Sequence, residues 1–191
     1  EILERLDVVA AESSDAWNNA GTGHSALCEL NYTPEQKDGS VKIDKAVKIA
    51  EQFEVSKQFW SYLVDKGIIA QPENFIRSIP HMSAVFGEKD AKFLKTRWET
   101  LTTQNLFKGM EYTEDPTLLK SWIPLMMEGR EAGETIAATK MDLGTDVNFG
   151  SLTRDLITNL ANKDNISISL NHEVIDIERE DDGRWEVEVK D

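Results

Sequence analysis

Between Ser40 and Gly67, residues Ile43, Ala46, Val47, Ala50, Phe53, Trp60, Leu63 and Val64 recur at helical spacing, and Gly67 stands where a C-terminal cap belongs. This is the clearest helix in the chain. The far end carries the other periodicity. Ile166, Ile168 and Leu170 alternate, as do Ile175 and Ile177, and then Trp185, Val187 and Val189. The DDG at 181–183 is a hairpin signal. Helical and alternating patterns in one chain predict a mixed α/β fold.

The intervening segments fill in that pattern. PENFIRSIPHMSAVFG reads as extended chain, with Pro80 implying an edge or a bulge. Residues 90–103 read as an amphipathic helix carrying Leu94, Trp98 and Leu101, with Arg97 on its solvent side. EDPTLLKSW suits a short helix with Pro116 in its first turn. GETIAATKMDLGTDVNFG reads as strand and turn. SLTRDLITNLANK is a third clear helix, with Leu152, Leu156 and Leu160 in register.

A formal net charge of -14 argues against a nucleic-acid partner, because phosphate backbones need Lys and Arg. It also means that any anion site must be locally basic. The only cysteine, Cys28, excludes an internal disulfide and fits a reducing compartment; it reads as a small buried residue near a helix. No signal peptide and no apolar run of membrane-spanning length is present. The chain opens on EILERLDVV without Met and stops within strand character at GRWEVEVKD, so an internal excerpt of a longer protein is expected.

The stretch NNAGTGHSA, residues 18–26, points most directly to a ligand. Gly21 and Gly23 let backbone approach a flat or charged group closely. Successive N–H groups there, with the dipole of a following helix, suit a pyrophosphate or a flavin edge. A polar loop that merely caps a helix would look similar. Glu4, in EILERL, stands where the ribose-binding acid of a dinucleotide fold would fall if the chain began just before the second strand. Any surface glutamate would look the same.

ERLDVVAAESSDAWNNAGTGHSALCELNYTP resembles the malate:quinone oxidoreductase family. The resemblance continues through IPHMSAVFG, WIPLMMEGREAGETIAATKMDLGTDVNFGSLTRDLI and the closing hairpin. It implies a partial FAD/NAD(P)-binding fold of the D-amino acid oxidase type with an antiparallel substrate-domain sheet. Residues 1–40 would belong to the FAD-binding domain, 41–145 to the substrate domain, and 146–191 to the FAD-binding domain again. The implied cofactor is FAD and the implied reaction is oxidation of (S)-malate to oxaloacetate in the tricarboxylic acid cycle. Electrons would pass to membrane quinone, with peripheral attachment on the cytoplasmic side. The family's glycine fingerprint before Glu4 is absent.

By resemblance, Glu4 matches the ribose acid, and Ser13 and Ser14 the loop passing adenosine and pyrophosphate. Asn18, Asn19, Ala20, Gly21, Thr22, Gly23, His24 and Ser25 match the segment along the flavin, and Val174 the backbone that meets adenine. Malate oxidation needs a base for the C2 hydroxyl and cations for two carboxylates. His24, His81 and His172 lack metal-ligand spacing, so no metal is expected. His81 is the candidate base or substrate ligand, His24 a flavin neighbour, and His172 structural. Arg130 is the candidate carboxylate clamp, with Lys140 in reserve. Arg77 would join His81 only if Pro80 bends the chain. A related dehydrogenase of another 2-hydroxy diacid, or a non-catalytic acidic interaction module, are the competing readings.

Overall fold

A computed structural model of the chain describes residues 1–131 and 133–190. In order, the elements are β1 (Ile2–Leu3), α1 (Asp44–Asp65), β2 (Ile76–Ser78), β3 (His81–Phe86), α2 (Glu88–Leu101), β4 (Glu111–Thr113), α3 (Pro116–Trp122), α4 (Pro124–Met127), β5 (Ile136–Met141), β6 (Thr145–Val147), α5 (Phe149–Ala161), β7 (Ile168–Ser169), β8 (Glu173–Arg179) and β9 (Trp185–Lys190). The chain divides into two compact units, one of residues 1–21, 61–76 and 147–191, the other of residues 22–60 and 77–146.

The second unit is built on an antiparallel sheet of order β3–β5–β4. β5 takes the centre because IAATKM is apolar on both faces, and all but Lys140 of it is buried. Pro80 lies immediately before β3, an edge strand of this sheet, where a missing N–H costs no ladder bond. On one face, Val85 and Ala137 pack against Ala91 and Leu94 of α2. On the other, Ile136 and Ala138 pack against Leu119 of α3. The α1 stripe closes a further cluster, in which Ala46 and Ala50 meet Ala26, Leu27, Leu101, Phe107, Met110 and Met141.

Helix α1 starts at Asp44, four residues after the expected Ser40. The backbone of Ser40 is already committed to a turn. Its C=O accepts from Gln36 N–H at 2.8 Å, while its N–H donates to Asp38 Oδ1 at 3.0 Å. Lys42 N–H then reaches Pro34 O at 3.2 Å, so this stretch is a small hairpin around Gly39.

In the first unit, β1 and β7 run parallel, with Ile2 opposite Ile168 and Leu3 opposite Ser169. Leu63, Ile69, Phe75, Val147 and Leu152 are among its buried hydrophobic residues. The end of α1 lies here and closes as expected at Gly67, whose φ is +68°. Gly67 N–H donates to Val64 O and Ile68 N–H to Leu63 O, both at 2.9 Å, the paired pattern of a glycine-terminated helix. Asn148 caps α5 by accepting from Ser151 N–H at 2.9 Å. The β8–β9 hairpin turns through Gly183 at φ +87°.

Helix α3 owes its start to Asp115, whose Oδ1 accepts from Thr117 N–H at 2.8 Å and Leu118 N–H at 3.0 Å ahead of Pro116. Asp115→Ala is expected to cost about 1 kcal/mol, and Asp115→Asn much less. Leu94→Ala, at a side chain with no exposed surface, should cost about 2–5 kcal/mol. Urea unfolding of the protein with each substitution measures both, and equal costs at the two positions would contradict this account.

Candidate functional site

One carbonyl joins two of the segments singled out in the sequence. Thr145 O accepts Gly23 N–H at 2.9 Å and His81 Nε2 at 3.1 Å. A carbonyl only accepts, so Nε2 carries the proton and Nδ1 is the basic nitrogen of a neutral His81. Nδ1 faces Cys28 Sγ at 3.8 Å. His81 is only 9% exposed, and its ring lies against Gly144, where any Cβ would overlap it. Ser83, two residues along the same face, donates to Cys28 O at 2.8 Å.

Gly23 is required for space rather than conformation. A Cβ there would overlap Thr145 Oγ1 and meet Phe53 Cζ at 2.8 Å and Thr145 O at 2.9 Å. Ser25 is buried, with its N–H turned onto Gly23 O at 2.7 Å. Thr22 bridges Asp146. His24 points outward, 60% exposed, with Nδ1 3.8 Å from Glu29 Oε1. Ser25 and Leu27 also line a cavity of ≈ 290 Å³ together with Ala50, Lys57, Leu106 and Met141.

No helix follows this loop, contrary to the sequence expectation. Ala26 adopts a left-handed φ of 56°, and the chain makes only one tight turn, at Leu30–Tyr32. The reason lies in Arg97, which was expected to face solvent and has no exposed surface. Its Nη2 donates to Ala26 O at 3.1 Å and Leu27 O at 3.2 Å, and its Nε to Thr33 Oγ1 at 2.9 Å. These bonds hold the Ala26–Leu27 backbone in the non-helical path that the left-handed Ala26 begins. The signal was present: Leu94, Arg97 and Leu101 share one helical stripe. Burial lowers Arg97 to about 10, still fully charged at neutral pH. Glu29, whose two carboxylate oxygens are buried without a hydrogen-bond partner among the described residues, acts on it from nearby.

The first unit gathers a different set. Glu4 follows β1, half-buried. Its N–H donates to Ser169 O and its C=O accepts from His172 N–H, both at 2.9 Å, which brings residues 169–172 and hence the start of β8 beside it. Its Oε1 accepts from Leu6 N–H at 2.9 Å. Val174, in β8, is 39% exposed and pairs with Val189. Ser14 O lies 3.0 Å from where a Cβ on Gly150 would stand, so this loop crosses the first turn of α5. Ser13 O accepts from Asn19 Nδ2 at 3.0 Å, Glu12 O accepts from Asn18 Nδ2 at 3.1 Å, and Gly21 N–H is capped by Asn19 Oδ1 at 2.9 Å. The two asparagine amides therefore hold their own loop closed. Ala20 is exposed, and Gly21, at φ +67°, passes its C=O to Val147 N–H at 2.6 Å.

Arg130 is not brought to His81. Its guanidinium stacks 4.3 Å from the Phe86 ring centroid and pairs with Glu134 at 3.2 Å. Phe86 closes β3 at the end opposite His81, about 17 Å along the strand at 3.4 Å per residue. Lys140 pairs with Asp142 at 2.8 Å and, opposite Met82 in the ladder, belongs to the other face from His81 and Met141. Arg77 lies exposed in β2, which ends before Pro80, so it shares no continuous strand with the buried His81. Sequence reasoning missed Thr145 entirely, since nothing in LGTDV marks its carbonyl as a shared acceptor. Among the described residues, no cluster of His, Cys, Asp and Glu could hold a metal, and no helix is long and apolar enough to cross a membrane.

Two outcomes follow from this packing. Gly23→Ala must displace residues 22–25 from Thr145 and should destabilise the protein by about 1–3 kcal/mol, read as a lowered midpoint in thermal unfolding. Burial first, and then the Glu29 carboxylate, push the Cys28 thiol up from 9.0 to about 11. Cys28 is therefore protonated at neutral pH, and iodoacetamide labelling of the folded protein should rise only as pH approaches 11. Because the folded value lies above the unfolded one, the thiol's contribution to stability is complete below pH 9 and is lost as pH climbs towards 11. A labelling midpoint near 9.0 would contradict the buried environment.

The chain shares a fold with L-alpha-glycerophosphate oxidase from Mycoplasma pneumoniae, solved with FAD bound. The TM-score is 0.60 at 16% identity, covering 98% of this chain and 42% of that one. The mixed α/β architecture with antiparallel sheets expected from the sequence is thus that of a known FAD-bound oxidase. Among named relatives, a probable malate:quinone oxidoreductase 1 of Pseudomonas aeruginosa is 56% identical over 191 residues, all of this chain and 36% of that protein. A probable malate:quinone oxidoreductase of Geobacillus kaustophilus is 58% identical over 189 residues, or 99% of this chain and 38% of that protein. The chain thus spans well under half the length of these relatives. The family described as malate:quinone oxidoreductase (Mqo) matches residues 1–191. The chain belongs to the malate:quinone oxidoreductase family.

Proposed function

We propose that the protein to which this chain belongs oxidises malate with FAD as cofactor and quinone as electron acceptor. The observation that carries the reading is the shared Thr145 carbonyl. It ties Gly23, in the loop that the resemblance lays along the flavin, to His81, the candidate base, in one buried arrangement. Membership of the family over the full chain supplies the substrate pair.

The chain's own residues fit part of an FAD site. An acid at the carboxyl end of a parallel strand is the arrangement that recognises a ribose hydroxyl, and Glu4 stands so beyond β1. Only one carboxylate oxygen is used by Leu6 N–H, and a carboxylate accepts several bonds. The start of β8, with the Val174 backbone, lies beside Glu4, as contact with adenine would need. When bound, FAD supplies the acceptor for the hydride that leaves C2 of the hydroxy acid.

His81 would take the hydroxyl proton at Nδ1, because Nε2 is held by Thr145. That nitrogen faces Cys28 Sγ, so the thiol must give way to substrate. Arg130, against Phe86 at the far end of β3 and engaged with Glu134, is left out of the proposed site. An acceptor dissolved in the bilayer calls for contact with a membrane surface, and a peripheral place there is part of the same reading.

The full-length protein should reduce an electron-accepting dye or a soluble quinone with malate and no added nicotinamide; a requirement for NAD, with indifference to flavin, would sink the proposal. His81→Gln should lower turnover about 10²-fold with FAD still bound. Unchanged turnover would leave His81 a packing residue of β3. The 191-residue chain by itself should not retain FAD, which flavin absorbance after gel filtration tests.

A further inference from the structure

We propose that Arg97 is the positioning residue of this site, holding the polypeptide between the flavin-facing loop and the His81 contact in one geometry. The inference rests on the functional reading above and adds a residue that does not itself touch substrate or cofactor. Its basis is how one guanidinium is used. Arg97, on α2, spends three hydrogen bonds on a segment whose only regular structure among the described residues is the short turn Leu30–Tyr32: two on the consecutive carbonyls of Ala26 and Leu27, one on the Thr33 hydroxyl. A single planar cation thereby spans a loop of eight residues, 26–33.

Both ends of the proposed chemistry hang on that loop. Upstream, Ala26 follows Ser25 directly, so fixing the Ala26 carbonyl fixes the exit of the Thr22–Ser25 segment that is pinned to Thr145. Downstream, Leu27 precedes Cys28, whose Sγ faces His81 Nδ1 and whose carbonyl accepts from Ser83 Oγ. The Leu27 side chain also forms a wall of the ≈ 290 Å³ cavity that Ser25 opens onto.

Local sequence would not hold this shape. Ala26 is a non-glycine residue at φ 56°, a conformation costing about 1 kcal/mol or more that persists only where surroundings impose it. Arg97 itself has no exposed surface, and its Nη1 lacks a hydrogen-bond partner among the described residues. A buried charge tolerated with one group unpartnered is expensive for stability alone. A Met at this position would fill the same stripe of α2 between Leu94 and Leu101 at lower desolvation cost. The fork geometry is what Met and Lys lack: Lys carries its three donors on one atom, whereas Arg97 reaches the Thr33 hydroxyl from Nε and the two carbonyls from Nη2.

The test uses the full-length FAD-loaded protein with Arg97→Lys, Thr33→Val and, as a control on the same helix, Leu94→Ala. Flavin fluorescence, kcat and KM for malate, and thermal midpoint are measured for each. Arg97→Lys is expected to lower kcat about 10²-fold with little change in KM and to alter flavin fluorescence, as a displaced site does. Thr33→Val should move the same readouts less far. Leu94→Ala should lower the thermal midpoint alone.

The inference is overturned if Arg97→Lys and Thr33→Val keep wild-type kcat and flavin fluorescence, or if Leu94→Ala reproduces their changes. Should Arg97→Lys not fold, Thr33→Val decides on the same criteria. If wild-type protein holds flavin but malate does not reduce it, the functional reading falls, and fluorescence of the variants still decides on Arg97. If wild type turns over malate and the variants match it, Arg97 falls alone. Wild type without bound flavin overturns both.

Discussion

A guanidinium with no exposed surface organises the irregular part of the second unit. Burying a charge costs several kcal/mol even after the protein relaxes, so it survives only where acceptors surround it. Arg97 finds them in Ala26 O, Leu27 O and Thr33 Oγ1, all from a segment whose own regular structure is one short turn at Leu30–Tyr32. The dependence is mutual. The segment supplies what the cation needs, and the cation partners the Ala26 and Leu27 carbonyls ahead of the Leu30–Tyr32 turn.

From that anchor the site can be followed outward. The 26–33 loop places Cys28 against His81, and β3 holds His81 so that its Nε2 meets Thr145 O. The same carbonyl receives Gly23, where no side chain would fit. Two stretches far apart in sequence thus converge on one acceptor supplied by a third. Glu4 reaches its place by separate means, through the β1–β7 pair and the backbone bonds to Ser169 and His172.

Much of the secondary structure was legible because it depends on neighbours within a few residues. The stripe of α1, the Gly67 stop, Pro116 in the first turn of α3 and the DDG turn all rest on local geometry. The four-residue error at Ser40 arose because Asp38 and Gly39 form a competing turn that absorbs the Ser40 backbone. The candidate site was legible only in part. NNAGTGHSA stood out by composition, yet its asparagines proved to close their own loop, and the glycine that matters for close approach, Gly23, admits Thr145 and Phe53.

Periodicity and turn chemistry, then, determined the kind of elements and their order, since a 3.6-residue stripe and a two-residue alternation are properties of the chain itself. The run of family-like strings determined membership of a family, because 191 matched residues in order are far more specific than any single motif. Tertiary structure alone decided that Arg97 points inward, that Arg130 lies at the wrong end of β3, and that His81 and Gly23 share a carbonyl. The physical reason is common to all three. Whether a charged or polar side chain turns inward depends on acceptors brought up from distant segments, and no local pattern records where those acceptors will be.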